Sequence, residues 1–122
     1  MIVLTPREAV TNKLAFLRTL DRDNWDGYGD RAITQTACDY YQKVLDLIDD
    51  KYLREAEPCG HNGGLHLEWD NGDCAYTATI EHDGSLWLFV LAPDDTEDSS
   101  REIVNPQPSD LIAFIHETAT PR

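Results

Sequence analysis

The sequence predicts an α+β fold with two N-terminal helices, an antiparallel sheet of about four strands and a short C-terminal helix. Apolar residues recur at helical spacing in the first half of the chain and alternate with polar residues after Pro58. No helical pattern separates the predicted strands, as parallel pairing would require, so the strands should pair antiparallel beneath the helices. The 122 residues fit a single α+β domain, 1–122.

Polar caps mark the starts of both N-terminal helices. Thr5 can cap the first, with Pro6 at its first position and Glu8 closing a capping box. Thr34 can cap the second. The first helix, about residues 6–20, has an apolar stripe of Ala9, Val10, Leu14, Leu17 and Leu20. The second has an apolar side of Ala37, Tyr41, Val44, Leu45, Ile48 and Tyr52.

Alternation and turn residues predict the strands. Leu65, Leu67 and Trp69 share one face of a first strand, and an Asn-Gly pair at residues 71–72 should turn the chain into a second, from residue 74 to about 81. Residues 86–91 are continuously apolar, which predicts a central strand covered on both faces.

The end of the chain is predicted to hold a loop, an edge strand and a helix. Residues 93–101 contain four acids and no large apolar side chain, which is typical of a solvated loop. Residues 102–104 should add an edge strand. Ser109 can then cap a short helix that carries Leu111, Ile112 and Ile115.

The net charge of −13 is concentrated in the second half. Residues 1–54 hold nine acids and eight bases, whereas residues 55–122 hold fourteen acids and only two bases, Arg101 and Arg122. Such a field repels nucleic acid and anionic membranes and attracts cationic surfaces. We therefore expect a basic protein surface as the partner, with neither nucleic acid nor membrane bound directly. Acidity that serves only to keep the protein dissolved is the alternative.

Three further patterns bear on compartment and redox state. Residues 1–6 lack the basic region and the long apolar region typical of a secretory signal, and no apolar run reaches the roughly 20 residues that span a bilayer. We expect a cytoplasmic protein, in a bacterial cell or a phage-infected host. Cys38, Cys59 and Cys74 are an odd number at irregular spacing, which favours reduced thiols over disulfides.

The segment before the second helix is unusual because it combines Trp25 and Tyr28 with two glycines that permit sharp turns. It is either a binding loop or a plug in which these aromatics fill the corner between the helices. A Gly-x-Gly alone does not make a phosphate loop, because further glycines, a preceding strand and often a lysine are missing.

The letters WDGYG at residues 25–29 and GGLHLEW at residues 63–69 resemble a pattern in small uncharacterised bacterial and phage proteins, the WDGYG/GGxxxEW proteins. The resemblance covers roughly residues 10–90 and fades in the acidic segment. It implies a bacterial or phage origin and a compact α+β domain, and it carries no established activity.

Candidate catalytic and metal-binding residues do not form a motif. Cys59, His61, His66 and Cys74 are residue types that bind zinc, but no second closely spaced pair completes a site, so we predict no metal and no other cofactor. Strand alternation should spread Glu68 and its acidic neighbours around the end of a hairpin, which disfavours a carboxylate-metal nuclease. No nucleophile elbow is present, so we predict no enzymatic activity.

The leading hypothesis is a non-catalytic acidic inhibitor that masks a basic surface, one that normally holds nucleic acid, in the manner of antitoxins or phage anti-defence proteins of the anti-CRISPR kind. Its predicted partner-binding residues are Glu68, Asp70, Asp73, Glu81, Asp83, Asp94, Asp95, Glu97, Asp98, Trp25 and Tyr28. Trp87, if exposed, would add contact area. The alternatives are a self-associating module that forms a homodimer and a small enzyme with a site at Glu68, His66 and His61.

Overall fold

The computed structural model describes residues 4–23, 25, 27, 31–53, 57–93 and 99–119. Its elements, in chain order, are α1 (Pro6–Arg18), α2 (Gln35–Leu47), a single 3₁₀ turn (Asp50–Tyr52), β1 (Cys59–His61), β2 (Gly64–Asn71), β3 (Cys74–Ile80), β4 (Leu86–Leu91), β5 (Ser99–Ile103) and α3 (Pro108–Thr118). The predicted α+β class is confirmed. The described residues form five strands, one more than the four expected.

The strands form one antiparallel sheet in the order β1-β2-β3-β4-β5, each paired with its neighbour along the chain. The prediction missed β1 because its three residues have no alternation of apolar and polar side chains, and pairing with β2 is what makes them a strand. The prediction also placed the first residues of β5, 99–101, in the acidic loop. Residues 99–101 are instead extended because they pair with β4.

The first helix begins where the sequence predicts. The Thr5 hydroxyl accepts a hydrogen bond from the Glu8 amide at 3.1 Å, and the Glu8 carboxylate accepts one from the Thr5 amide at 3.3 Å. The helix ends at Arg18, two residues early, because Thr19 caps it with a hydroxyl that donates to a carbonyl of the last turn at 2.6 Å. Of the predicted stripe, Ala9 is exposed, while Val10, Leu14 and Leu17 are buried.

One face of the sheet forms the core with the helices. Paired residues on neighbouring strands point to the same side, and on this side their side chains are buried: Leu65, Leu67, Trp69, Ala78, Ile80, Leu86 and Leu88. Helix α2 packs against β2 and β3, and it also contacts α1 and α3. The buried apolar residues of the described chain form one cluster.

The prediction that β4 is covered on both faces is wrong. Alternate side chains of this strand, those of Trp87, Phe89 and Leu91, are 39%, 37% and 49% exposed. The buried residues of the helices in the structure form the core on the other side of the sheet, so these positions face solvent. The continuous apolar run therefore marks an exposed apolar stripe.

The last helix begins earlier than predicted. Its N-cap is Gln107, not Ser109, and Pro108 takes the first helical position, where its missing amide hydrogen costs nothing. The Asp110 carboxylate accepts a hydrogen bond from the Gln107 amide at 2.7 Å. None of the helices in the described ranges combines the length and the apolar character that crossing a bilayer requires.

Candidate functional site

The sheet surface that faces away from the helices, here called the open face, is the candidate site. Its side chains are those that alternate with the buried ones, and the strand register joins them into rows. The open face consists of Cys59, His61, His66, Glu68, Asp70, Ala75, Thr77, Thr79, Trp87, Phe89, Leu91, Ser100 and Glu102.

The strand register and the sizes of the side chains predict a shallow channel along the middle strand of the open face. Strand β3 contributes only small side chains, Ala75, Thr77 and Thr79, whereas both neighbouring strands contribute larger ones. The side chains of β2 and β4 form the two walls of the channel, and the backbones of these strands lie two strand spacings, about 9.6 Å, apart. This channel, the open-face channel, has one apolar wall of Trp87, Phe89 and Leu91 and one polar wall of His66, Glu68 and Asp70.

The charge on the open face has one sign. Its carboxylates are those of Glu68, Asp70 and Glu102, and no lysine or arginine of the described strands points to this side. Arg101 belongs to the opposite side, where it lines a groove with Phe114. The open face is therefore negative at neutral pH.

Glu68 is an exposed carboxylate near the middle of the open face. Its side chain is 74% exposed. Among the described residues, its ion-pair partner is the His66 ring, which is charged only when protonated and whose Nε2 lies 3.7 Å from the carboxylate. The other nitrogen of that ring lies 3.2 Å from the Thr79 hydroxyl. Beside Asp70, Glu68 also borders a depression lined by Trp69 and Ala75. An exposed carboxylate without a lysine or arginine partner is suited to meeting a cation from outside.

The structure separates the predicted acidic residues into two groups. Glu68 and Asp70 lie toward the β2–β3 turn, which contains Asp73, whereas Glu81 and Asp83 lie at the other end of the sheet. The β2–β3 ladder between these ends is about 20 Å long. A compact partner surface can therefore contact Glu68, Asp70 and Asp73 together more readily than it can contact both acidic groups at once.

Asp83 also has a role in its own turn. Its carboxylate accepts hydrogen bonds from the Ser85 amide at 3.0 Å and from the Ser85 hydroxyl at 2.7 Å. These two bonds lower the pKa of Asp83 from its usual value. The side chain thus holds the turn that joins β3 to β4.

Trp25 packs against the edge of the sheet. Its indole nitrogen donates to the carbonyl of Arg31 at 2.8 Å, and a Cβ built on Gly60 would lie 2.9 Å from its ring. Trp25 thus contacts β1 and is one of the partly buried residues packed against the core. The remaining predicted binding residues lie outside the described residues: Tyr28, Asp94, Asp95, Glu97 and Asp98.

Most described residues of the two letter motifs have a structural role. Gly63 has φ +84° and accepts a hydrogen bond from the Thr34 amide at 3.0 Å. A Cβ on Gly64 would overlap the carbonyl oxygen of Ile80. Trp69 is buried and hydrogen-bonded. Glu68 is the exposed residue of the second motif, and its carboxylate lies beside the His66 ring.

The sequence interpretation missed several residues of the open face. Phe89, Leu91 and Glu102 were not among the predicted binding residues, and Trp87 was named only on the condition that it is exposed. The sequence signal for the apolar part of the open face is the run of six consecutive apolar residues, 86–91, which follows strands of alternating apolar and polar residues. This run predicts burial on both sides of the strand, because sequence alone does not say how many faces of the sheet the helices cover.

The histidines of the open face lie close together without forming an enclosed site. The rings of His61 and His66 are 5.4 Å apart between centroids. Burial and the charge of Glu68 raise the pKa of the nearby Cys59 thiol, although Lys13 acts in the opposite direction. Within the described ranges, no three His, Cys, Asp or Glu side chains are grouped so that they could hold a metal ion. The open face thus offers area and charge to a partner.

No protein-family model, no curated protein and no solved structure matches the chain.

Proposed function

We propose that this protein is a non-catalytic, acidic protein-binding inhibitor whose open face covers a basic surface of a partner protein. The observation that carries the proposal is the exposed apolar stripe of Trp87, Phe89 and Leu91, bordered by carboxylates of one sign. Aromatic side chains at the centre of an interface supply most of its binding energy, and charges around them set orientation and association rate.

The chemistry of the open face favours a partner surface that normally holds nucleic acid. Such surfaces are dense in lysine and arginine, and the carboxylates of Glu68, Asp70 and Glu102 would take the positions of phosphates. An inhibitor of this kind acts by exclusion and needs no catalytic group. Antitoxins and phage anti-defence proteins of the anti-CRISPR kind are the corresponding functional classes.

Self-association is the alternative, and two features oppose it. Stacking two open faces would bring the carboxylates of both copies together. A dimer could also form if the edge strand β5 of one copy paired antiparallel with β5 of a second copy. Centred on the middle residue of the strand, this pairing would set Arg101 opposite Arg101 of the other copy. Like charges directly opposite each other destabilise a strand pair. Sedimentation of the purified protein measures this alternative, and a stable dimer formed through the open face would contradict the proposal.

Affinity capture with matched charge-reversal variants tests the proposed function. The protein is immobilised as wild type, as the double variant Glu68→Lys with Glu102→Lys, and as a control, Asp46→Lys with Glu117→Lys, at exposed helical positions. Each captured protein is then purified, and its affinity is measured at increasing salt concentration. We expect a basic partner whose binding is lost in the open-face variant, kept in the control and displaced by nucleic acid. Equal binding by the two variants would refute the proposal.

A further inference from the structure

The open-face channel has a floor of small side chains on which an α-helix can be laid. Its floor side chains, Ala75, Thr77 and Thr79, are no larger than threonine, and its walls rise from the strands on either side. The wall backbones are about 9.6 Å apart, which is less than the diameter of about 10–12 Å of a helix with its side chains, so a helix fits only with its side chains placed between those of the walls. A helix laid along β3 would rest on the small floor residues, with its own side chains interleaved with both walls.

The two walls differ in chemistry, and this defines what such a helix must present. The β4 wall is apolar, with Trp87 and Phe89 as its aromatic members. The β2 wall carries Glu68 and Asp70, with no lysine or arginine of the described strands beside them. A helix that matches both walls has an apolar side and, next to it, a side rich in lysine or arginine.

Backbone hydrogen bonding favours a helix over an extended segment. The backbone groups of β3 are paired with β2 and β4, so the floor of the channel offers no partners to a second backbone. An extended segment buried there would leave its own amides and carbonyls unpaired, which is costly. A helix satisfies its backbone internally and presents only side chains to the channel.

We infer that the partner element bound by the open-face channel is a basic amphipathic α-helix. The inference rests on the proposed function for the choice of surface and goes further by naming the partner's structure. The floor from Ala75 to Thr79 is about 13 Å long, which corresponds to about nine helical residues. Apolar residues at positions i, i+3, i+4 and i+7 of that helix would contact the β4 wall, and lysines or arginines would face Glu68 and Asp70.

A synthetic helix provides the probe for this inference. The test peptide has leucines at i, i+3, i+4 and i+7 with lysine and alanine elsewhere. One control peptide has the same composition in an order that removes both faces, and a second has glutamate in place of lysine. Binding to the full chain is measured by fluorescence anisotropy of the labelled peptide, and the site is located by amide chemical shifts. We expect shifts confined to β2, β3 and β4, at least tenfold weaker binding of the reordered peptide, and none of the acidic one.

Matched variants test whether each wall of the channel contributes to binding of the test peptide. Phe89→Thr should weaken binding of the test peptide about tenfold or more, whereas Phe16→Ala, at an aromatic residue 57% exposed on α1, should leave it unchanged. Glu68→Gln should weaken binding about twofold to fivefold and reduce its salt dependence, and Glu117→Gln on α3 should do neither. Circular dichroism of each variant checks that the sheet is intact.

The outcomes separate this inference from the proposed function. Equal binding of the ordered and reordered peptides, or shifts outside the open face, would overturn the helical inference. A captured basic partner that binds the open face through a loop or strand would overturn it as well and leave the proposed function standing. A captured partner indifferent to Glu68→Lys with Glu102→Lys would refute the proposed function, whatever the peptide does.

Discussion

The indole nitrogen of Trp69 in β2 donates a hydrogen bond to the hydroxyl of Thr118 at the end of α3, at 2.9 Å. That hydroxyl donates in turn to the carbonyl of Phe114 at 2.6 Å. The Asn71 side chain donates to the Thr118 carbonyl, also at 2.9 Å. These bonds fix α3 to the core side of the sheet, opposite the open face.

Replacing Thr118 by valine should test this attachment. The valine keeps the shape of threonine but leaves the buried indole N–H of Trp69 without its acceptor, so the free energy of unfolding should fall by about 1–3 kcal/mol. The control Thr11→Val, at an exposed position of α1, should change it by about 0.5 kcal/mol or less. Urea denaturation followed by circular dichroism measures both. Equal losses in the two variants would show that the bond contributes nothing.

Adjacent tyrosines of α2 give an internally controlled pair. The Tyr40 hydroxyl donates to the carbonyl of Gln107 at 2.8 Å, whereas the Tyr41 hydroxyl is buried without a hydrogen-bond partner among the described residues. Tyr40→Phe should lower the free energy of unfolding by about 1 kcal/mol. Tyr41→Phe should leave it unchanged or raise it by about 1 kcal/mol, because an unpaired buried hydroxyl is removed. Thermal denaturation gives the comparison, and a larger loss for Tyr41→Phe would contradict it.

Replacing either of two glycines of the β1–β2 hairpin by alanine should destabilise the protein, and to different extents. At Gly60 the new Cβ would meet side chains, lying 2.8 Å from Ile33 Cδ1 and 2.9 Å from the Trp25 ring, and these can shift at a cost of about 1–3 kcal/mol. At Gly64 it would overlap the backbone carbonyl of Ile80, which the sheet holds in place. Gly64→Ala should therefore destabilise the protein more than Gly60→Ala. A reversed order of melting temperatures would contradict this packing.

The turn that contains Asp83 should make stability depend on pH. Because hydrogen bonds from Ser85 lower the folded-state pKa of Asp83, its contribution is present above the unfolded-state pKa of about 3.9 and is lost as the pH falls through the lower folded value. Asp83→Asn should thus lower the melting temperature at pH 7, and the difference from wild type should shrink in acid. Asp73→Asn, in the other hairpin turn, serves as the control. A difference that stays constant with pH would exclude this origin.

The acidic segment between β4 and β5 should act on the rate of partner binding. Changing Asp94, Asp95, Glu97 and Asp98 together to lysine should slow association with a basic partner and weaken its salt dependence, with a smaller effect on dissociation. Biosensor measurements at several salt concentrations on a purified partner provide the test. Unchanged affinity and unchanged salt dependence would remove this segment from the interaction.

Local signals predicted the elements that depend on neighbours in sequence. The capping box placed the start of α1, and the six residues assigned to the apolar side of the second helix are buried. The helix itself ends at Leu47, so that Ile48 is its C-cap and Tyr52 lies in the 3₁₀ turn. The Asn-Gly pair marked the tight turn between β2 and β3, where Gly72 has φ 64°. Each of these features is decided by side chains within a few residues, so the sequence contains the necessary information.

Elements that depend on distant partners were predicted less well. Strand β1 and the first residues of β5 lack an apolar alternation, and they are strands because β2 and β4 supply their hydrogen bonds. Trp25 was expected at a helix corner or in a binding loop, whereas Gly60, distant in sequence, provides the surface it packs on. Contacts of this kind exist only after the chain has folded.

The sequence by itself determined the fold class, the starts of α1 and α2 and the concentration of negative charge after residue 54. Only the tertiary structure decided which of these acidic residues lie on the same face of the sheet as the exposed apolar stripe. The same apolar run at residues 86–91 fits a strand covered on one face or on both, and the choice depends on where the helices pack. With the core on one side of the sheet, Trp87, Phe89 and Leu91 remain exposed opposite Glu68 and Asp70.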